Sequence, residues 1–242
     1  MRMTGAGKQL LLQAAGEIGL NLEPHLPQFD QFFDLLTAAN ESINLTAIRD
    51  EEGIVLKHFV DSLTCLTYPG FQDGMSIVDV GTGAGFPGLP LALVRPGIRF
   101  DLLDATKKKV DFVDSVIRTL KLQNVNAIWG RSEALSHEIV KRETYDAALT
   151  RAVATLQVVA ELTLPLVRVG GFVLVQKAGG VESEIEPAQP AIKKLGGRLE
   201  RVIGLELPII KDKRNLVVIE KVAPTPPQYP RKAGVPSKNP LS

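Results

Sequence analysis

A single cysteine, Cys65, in 242 residues leaves no partner for a disulfide framework and no thiolate set for a zinc site. Histidine is almost as scarce. His25, His58 and His137 share no ligand spacing, so no metal is expected. Charge of one sign is missing too: the net charge is +1, so any nucleic-acid surface has to be a local patch. No apolar run approaches the roughly 20 residues of a membrane span. The opening MRMTGAGKQLLLQAAGEIG lacks an adequate apolar signal core with a small-residue cleavage site. These absences predict a soluble, cytoplasmic protein with no membrane partner, and no internal repeat is visible. What the chain does have is 45% hydrophobic against 23% charged residues, enough for a packed core. Cys65, on an apolar helical face, reads as part of it.

Periodicity divides the chain into three regions. Residues 1–70 read as a helical extension packed on the core. Its helices are GKQLLLQAAGEIGL, then LPQFDQFFDLLTAAN with Phe29, Phe32, Phe33 and Leu36 on one face, then a single helix through DEEGIVLKHFVDSLTCL. Residues 71–222 alternate strand with helix: SIVDV, a helix from Gly88, RFDLLD, a helix over 107–120, NVNAIW, a short helix near 134–142, YDAALTR, a helix over 155–167, GGFVLVQK, a helix over 181–195, RLERVIGLELP and RNLVVIEK. Such alternation implies a parallel sheet with right-handed crossovers. Only IIKDK separates the last two strands, so they should form a hairpin with the final strand antiparallel. The predicted fold is therefore α/β, Rossmann-like, a seven-stranded mostly parallel sheet with an antiparallel last strand and an N-terminal helical extension. That is the layout of class I methyltransferases dependent on S-adenosylmethionine. Residues 223–242, APTPPQYPRKAGVPSKNPLS, are Pro-rich, carry three bases and no acid, and are expected to lie extended.

The segment IVDVGTGAGFPG, Ile77 to Gly88, closes the first strand with a glycine loop, where open α/β sheets bind ligands. Gly83-Ala-Gly85-Phe-Pro-Gly88 matches the dinucleotide fingerprint, and Asp104 lies about 20 residues on, as a ribose acceptor would. Asp79 with Gly81, Gly83 and Gly85 is the alternative register, expected around S-adenosylmethionine. The motif alone is ambiguous, and a loop that only turns the chain is a third reading. Three features favour S-adenosylmethionine. Asp79 is awkward beside a pyrophosphate and attractive beside an ammonium or sulfonium. Phe86-Pro87 is bulky where a helix should pack under a pyrophosphate. No substrate domain follows the sheet.

Longer motifs add a resemblance. NLTAI (Asn44 to Ile48), HFVDSL (His58 to Leu63), DVGTGAGFPGLPLAL, DATKKKVDFV, GRSE, TRAVA and YPRKAGVPSKNPL together resemble the ribosomal RNA small subunit methyltransferase G family, also called glucose-inhibited division protein B. The resemblance covers nearly the whole chain. It implies transfer of a methyl group from S-adenosylmethionine to N7 of a guanine in 16S rRNA of the small ribosomal subunit. It also implies site residues. Gly81 and Phe86 would approach the methionine and adenosine parts, and Asp104 would accept from the ribose. Ala105 and Thr106 would lie along the adenine, with Ser132 and Glu133 bordering it. Arg151 would lie near the methyl donor, and Asn44 would border the site, both as positioning residues. Relatives with Ser before this arginine differ from Thr150 here, and the hydroxyl is retained.

The basic patch has candidates in Lys107, Lys108 and Lys109, Arg131, Arg151, Lys177, the cluster Lys211, Lys213 and Arg214, and the tail residues Arg231, Lys232 and Lys238. KKK at a helix start and KDKR in a hairpin turn also suit solvent. The tail is the stronger RNA candidate, because its bases stand without acids and beside Tyr229. His58 and Asp61 lie three apart on one helical face, which suits either core packing or a pocket. A monomer is expected. Competing readings are a small-molecule methyltransferase, which should tolerate loss of 224–242, a nicotinamide dehydrogenase, and a non-catalytic ribosome-assembly factor.

Overall fold

The computed structural model describes residues 2–151 and 154–242. Met1, and Ala152 and Val153 of the TRAVA segment, lie outside the described residues. Helices α1 (Gly5–Glu17) and α2 (Leu26–Ile43) open the chain. The Thr4 hydroxyl caps α1 by accepting from the Gly7 amide, and Pro27 enters α2 in its first turn, where a missing N–H costs nothing. Phe29, Phe32, Phe33 and Leu36 are buried together, as their spacing predicts.

The third helical stretch is not one helix. It divides into α3 (Glu51–Ile54), a widened π turn over Val55–Val60, α4 (Asp61–Leu63) and a 3-10 turn over Thr64–Thr67. Widened turns gather at functional sites. This one carries His58, and Asp61 comes directly after it.

Seven strands then form one sheet: β1 (Ser76–Val80), β2 (Arg99–Asp104), β3 (Val125–Trp129), β4 (Tyr145–Arg151), β5 (Val167–Ala178), β6 (Gly197–Glu206) and β7 (Lys213–Lys221). The order is β3-β2-β1-β4-β5-β7-β6, with β7 antiparallel to both neighbours and the other pairings parallel. Between the strands run α5 (Gly88–Val94), α6 (Lys107–Leu120), α7 (Ser132–Leu135), α8 (Leu156–Thr163) and α9 (Glu182–Lys194). Strand side chains alternate between two cores. Ile77, Phe100, Leu102 and Leu149 pack with α2 and α6, while Val78, Leu103, Ala148 and Val173 pack with α8 and α9. The N-terminal helices share the first core with the sheet.

Two expected helices are shorter than their patterns suggest. The one near 134–142 begins at Ser132 and stops at Leu135. Beyond Leu135 the chain has no apolar face to bury, since Ile139 and Val140 are exposed. The helix over 155–167 ends at Thr163, because Pro165 supplies no N–H and the chain tightens into a 3-10 turn before β5.

The tail is folded rather than an extended arm. Lys221, fully buried at the end of β7, donates to the Leu164 carbonyl (2.8 Å) and the Thr225 hydroxyl and pairs with Glu143 (2.8 Å). Arg142 donates to the carbonyls of Thr225, Pro226 and Tyr229. Arg231 then pairs with Glu161 on α8, and the chain ends through α10 (Val235–Lys238).

Candidate active site

The order β2-β1-β4 makes the carboxyl ends of β1 and β4 the point where the connections diverge, the place where such sheets bind ligands. A cleft of about 170 Å³ lies there, lined by Val80, Gly81, Thr150, Arg151, Ala154, Val159, Leu162 and Thr163. Gly81 and Gly83 adopt φ of +76° and +61°, in the left-handed region, and a Cβ on either would point into open space. The loop therefore presents bare backbone. Asp79 is not beside that space. It is fully buried beneath the loop, where its Oδ2 accepts from the Thr82 hydroxyl (2.7 Å) and the Gly88 amide (2.9 Å). It ties β1 to the start of α5.

Asp79 Oδ1 has no partner. Burial, the largest cause, raises this carboxyl to about 6, against the lowering pull of Thr82, Gly88 and Arg151. The native state thus holds a proton that the unfolded chain releases at lower pH. Stability from this group is present below the ordinary carboxylate range and is lost as pH rises from about 4 to 6. The cost above pH 6 is about 3 kcal/mol at most. Thermal melts of Asp79→Asn and wild type should converge near pH 4 and separate above pH 6, with the variant favoured. A gap that does not change with pH would show that Asp79 is charged without penalty.

Arg151 is the hub of the site. Its Nη1 donates to the Lys57 carbonyl (3.1 Å), its Nη2 meets His58 Nδ1 (3.2 Å), and its guanidinium lies 5.1 Å from the Phe86 ring centre. Asp61 stands 3.6 Å away. A guanidinium only donates, so His58 Nδ1 accepts, and Nε2 carries the proton toward the Thr46 hydroxyl at 2.7 Å. Burial and Arg151 hold His58 down at about 3, so the imidazole is neutral at physiological pH. The π turn after NLTAI and the end of β4 thus meet: Thr46, His58, Asp61 and Arg151 come from three separate motifs. Phe86, expected near the cofactor, is buried; its ring stacks on His58 (4.6 Å) and lies against the Arg151 guanidinium.

Asp61 also accepts from Gln176 Nε2 (3.0 Å) and Arg214 Nε (3.0 Å). Gln176 and Arg214 sit on the neighbouring strands β5 and β7, and the sequence carried no signal for the part they play here. Asn44 caps α2 in a left-handed conformation with its Oδ1 3.3 Å from Arg49, so the NLTAI loop reaches the hub through Thr46.

On the other side of the glycine loop, Asp104 accepts from the Gly83 amide (3.0 Å) and the Thr106 amide (2.8 Å), one on each oxygen. Each oxygen keeps a lone pair for a ribose hydroxyl. Ala105 and Thr106 are exposed next to it. Ser132 and Glu133 are buried and engaged, Ser132 with the Leu162 carbonyl and Glu133 with the Gly234 amide (3.0 Å). The tail therefore buttresses the segment expected to border adenine.

The expected RNA cations separate into two groups. Lys107, Arg131, Lys232 and Lys238 are exposed, as are Lys108, Lys211 and Lys213. Lys177, Arg214 and Arg231 are not free cations. Lys177 is buried against Glu184 (2.8 Å) and the Ala154 carbonyl, and Arg231 against Glu161 (2.7 Å). The tail around Arg231 contains no acid, so its pairing with Glu161, 70 residues back, depends on the folded chain, whereas Lys177 finds Glu184 seven residues on. Among the described residues, no group of three or more His, Cys, Asp or Glu side chains is arranged to hold a metal ion. No described helix is long and apolar enough to cross a membrane.

A family model described as GidB, rRNA small subunit methyltransferase G, matches residues 25–217. Ribosomal RNA small subunit methyltransferase G of Deinococcus radiodurans is 47% identical over 239 residues, covering 99% of this chain and 94% of that protein. The chain belongs to the rRNA small subunit methyltransferase G family. The relative from Pelotomaculum thermopropionicum is 45% identical over 96% of this chain and 98% of its own length. Among solved structures, a SAM dependent methyltransferase from Aquifex aeolicus superposes with a TM-score of 0.54 at 18% identity, over 74% of this chain and 97% of its own. The cyclase SpnF does so with 0.55 at 14% identity, over 79% and 93%. A methyltransferase and a cyclase share this architecture, so these two likenesses show the fold alone. Four of the motifs that carry the resemblance, NLTAI, HFVDSL, the glycine loop and the start of TRAVA, meet around Arg151 through Thr46, His58, Asp61 and Phe86.

Proposed function

We propose that this chain transfers a methyl group from S-adenosylmethionine to N7 of one guanine in 16S rRNA of the small ribosomal subunit. Family membership over nearly the whole chain carries this reading. The residues fit the cofactor: bare glycine backbone at Gly81 and Gly83, an acid with spare lone pairs at Asp104, and a cleft walled by Thr150 and Arg151. Bound, S-adenosylmethionine supplies an electrophilic methyl group on a sulfonium.

The chain's own part is orientation. Guanine N7 has a lone pair and no proton at neutral pH, so no general base is required before transfer. None is poised at Arg151 either: His58 is neutral, but its Nδ1 is turned to the guanidinium and its Nε2 to Thr46. Arg151 acts as a positioning residue, fixed by Lys57, His58, Asp61 and Phe86 and forming one wall of the cleft. Holding reactants in line in this way lowers a barrier by roughly 7–11 kcal/mol at best. The pH profile of turnover should accordingly lack a histidine limb between about pH 5 and 8. The reading takes the enzyme as a cytoplasmic monomer, and light scattering on the purified protein checks its mass.

The test uses purified protein, labelled S-adenosylmethionine and small subunits from cells lacking the family enzyme. The label is then mapped by cleavage at the methylated base. One labelled guanine, modified at N7, is the expected outcome. Cofactor binding with no label on RNA would overturn the rRNA reading in favour of a small-molecule substrate or an assembly role.

A further inference from the structure

Trp129 is the one tryptophan in the chain and is 62% exposed. A large ring this open at a ligand-binding edge is unusual, because indole burial is one of the stronger contributions to a core. The ring is not loose. Its Nε1 donates to the Ala105 carbonyl at 3.1 Å, which fixes one edge and leaves a face to solvent. Trp129 ends β3 in register with Asp104, so the ring stands at the carboxyl edge of the sheet, beside the acid assigned to the cofactor ribose. Lys107 Nζ lies 5.8 Å from the ring centre, shared with Asp111, and Arg131 is exposed two residues further on. An open aromatic face flanked by cations is the pairing that single-stranded nucleic acid binds, with the base stacked and the backbone drawn by charge.

We infer that Trp129 is a stacking platform for an unpaired base of the RNA substrate, with Lys107 and Arg131 drawing the adjoining phosphates. The inference rests on the rRNA reading above. The base it holds is not the methylated guanine. β3 is two strands from β1 and three from β4, and strands are about 4.8 Å apart, so the platform stands roughly 10–15 Å from the cleft at Arg151. A flanking nucleotide is held there, and the strand between is stretched across the loops that carry Asp104 and Gly83. The indole has two separable roles: its N–H braces Ala105 on the cofactor side, and its face receives the base.

Three variants separate these roles: Trp129→Phe keeps a planar face without the N–H, Trp129→Leu keeps apolar bulk without the face, and Trp129→Ala removes both. For the subunit substrate, KM should rise about tenfold in the Leu and Ala variants and stay within about twofold of wild type in the Phe variant. The turnover number should be unchanged in all three. Cofactor affinity, read by calorimetry, should respond only to loss of the N–H, and so equally in Phe and Leu. The emission of wild-type Trp129, which has no other tryptophan behind it, should be quenched by a short single-stranded RNA at low salt. Unchanged KM in Trp129→Ala, or a Phe variant as impaired as Leu, would overturn the platform. Both of those results leave wild-type methylation intact and the rRNA reading standing. A wild-type enzyme that places no label on the subunit would overturn the two together.

Discussion

Arg151→Ala should lower methyl transfer to the small subunit by roughly 100-fold, the scale of loss that a misplacement of about 1 Å at a reacting centre produces. The guanidinium forms one wall of the cleft and joins the Lys57 carbonyl, His58, Asp61 and the Phe86 ring. Without it, the π turn and the end of β4 lose their shared contact, and the cleft loses a wall. The fold should survive, because Asp61 keeps Arg214 and Gln176 and the aromatic cluster of Phe29, Phe32 and Phe59 remains intact. Lysine should not rescue. It is a single ammonium, without a planar fork to lie on Phe86 while donating to two acceptors. Steady-state kinetics with subunits, alongside a thermal melt, check this: turnover should fall while the melting point moves little. Turnover near wild type in Arg151→Ala would remove Arg151 from the positioning role.

Arg231→Ala should destabilise the protein by about 3 kcal/mol, near the low end for breaking a buried ion pair because the guanidinium is 22% exposed. Its partner is the sensitive member. Glu161 is completely buried on α8 and receives the Arg231 backbone amide, Nε and Nη2, at 2.8, 2.9 and 2.7 Å. Alanine keeps the amide and strands most of the charge. For a chain of this size that corresponds to a melting point lower by roughly 6–12 °C. Glu161→Gln combined with Arg231→Ala should recover part of the loss, since no buried charge is then left. A melting point within about 2 °C of wild type, with weaker subunit binding, would instead return Arg231 to the RNA surface.

This pairing also changes what a truncation can report. Residues 224–242 supply Thr225 to Lys221, Arg231 to Glu161 and the Gly234 amide to Glu133. Removing them would unpair buried groups and loosen the segment beside the cofactor loop. Activity would then be lost on an RNA and a small-molecule substrate alike. The variants at Trp129 and the exposed bases Lys232 and Lys238 are cleaner probes of RNA contact, because they leave the buried pairs in place.

The strands and the closing hairpin were legible in the sequence because their causes are local. Short apolar runs at SIVDV, RFDLLD and YDAALTR are best satisfied as buried strands, and the short IIKDK link leaves room only for a hairpin. The glycine loop was legible for the same reason: bare backbone at Gly81 and Gly83 is a property of those residues themselves. Elements whose shape depends on distant partners were not. DEEGIVLKHFVDSLTCL has a helical pattern throughout, and the widened turn at Val55–Val60 emerges only where that stretch meets the end of β4 and presents His58 to Arg151. The acid-free tail around Arg231 does not announce Glu161, which lies 70 residues back, and Lys177 meets the nearby Glu184 only once α9 has formed after β5, so charge counting placed both on the RNA surface. Asp61 gathers Arg151, Gln176 and Arg214 from β4, β5 and β7, 90 or more residues further along the chain. Local pattern was enough for the sheet, the loop and the family. The hub at Arg151, the folded tail and the open face of Trp129 came from tertiary packing, because burial and ion pairing depend on what lies opposite in space, and a linear pattern does not contain that.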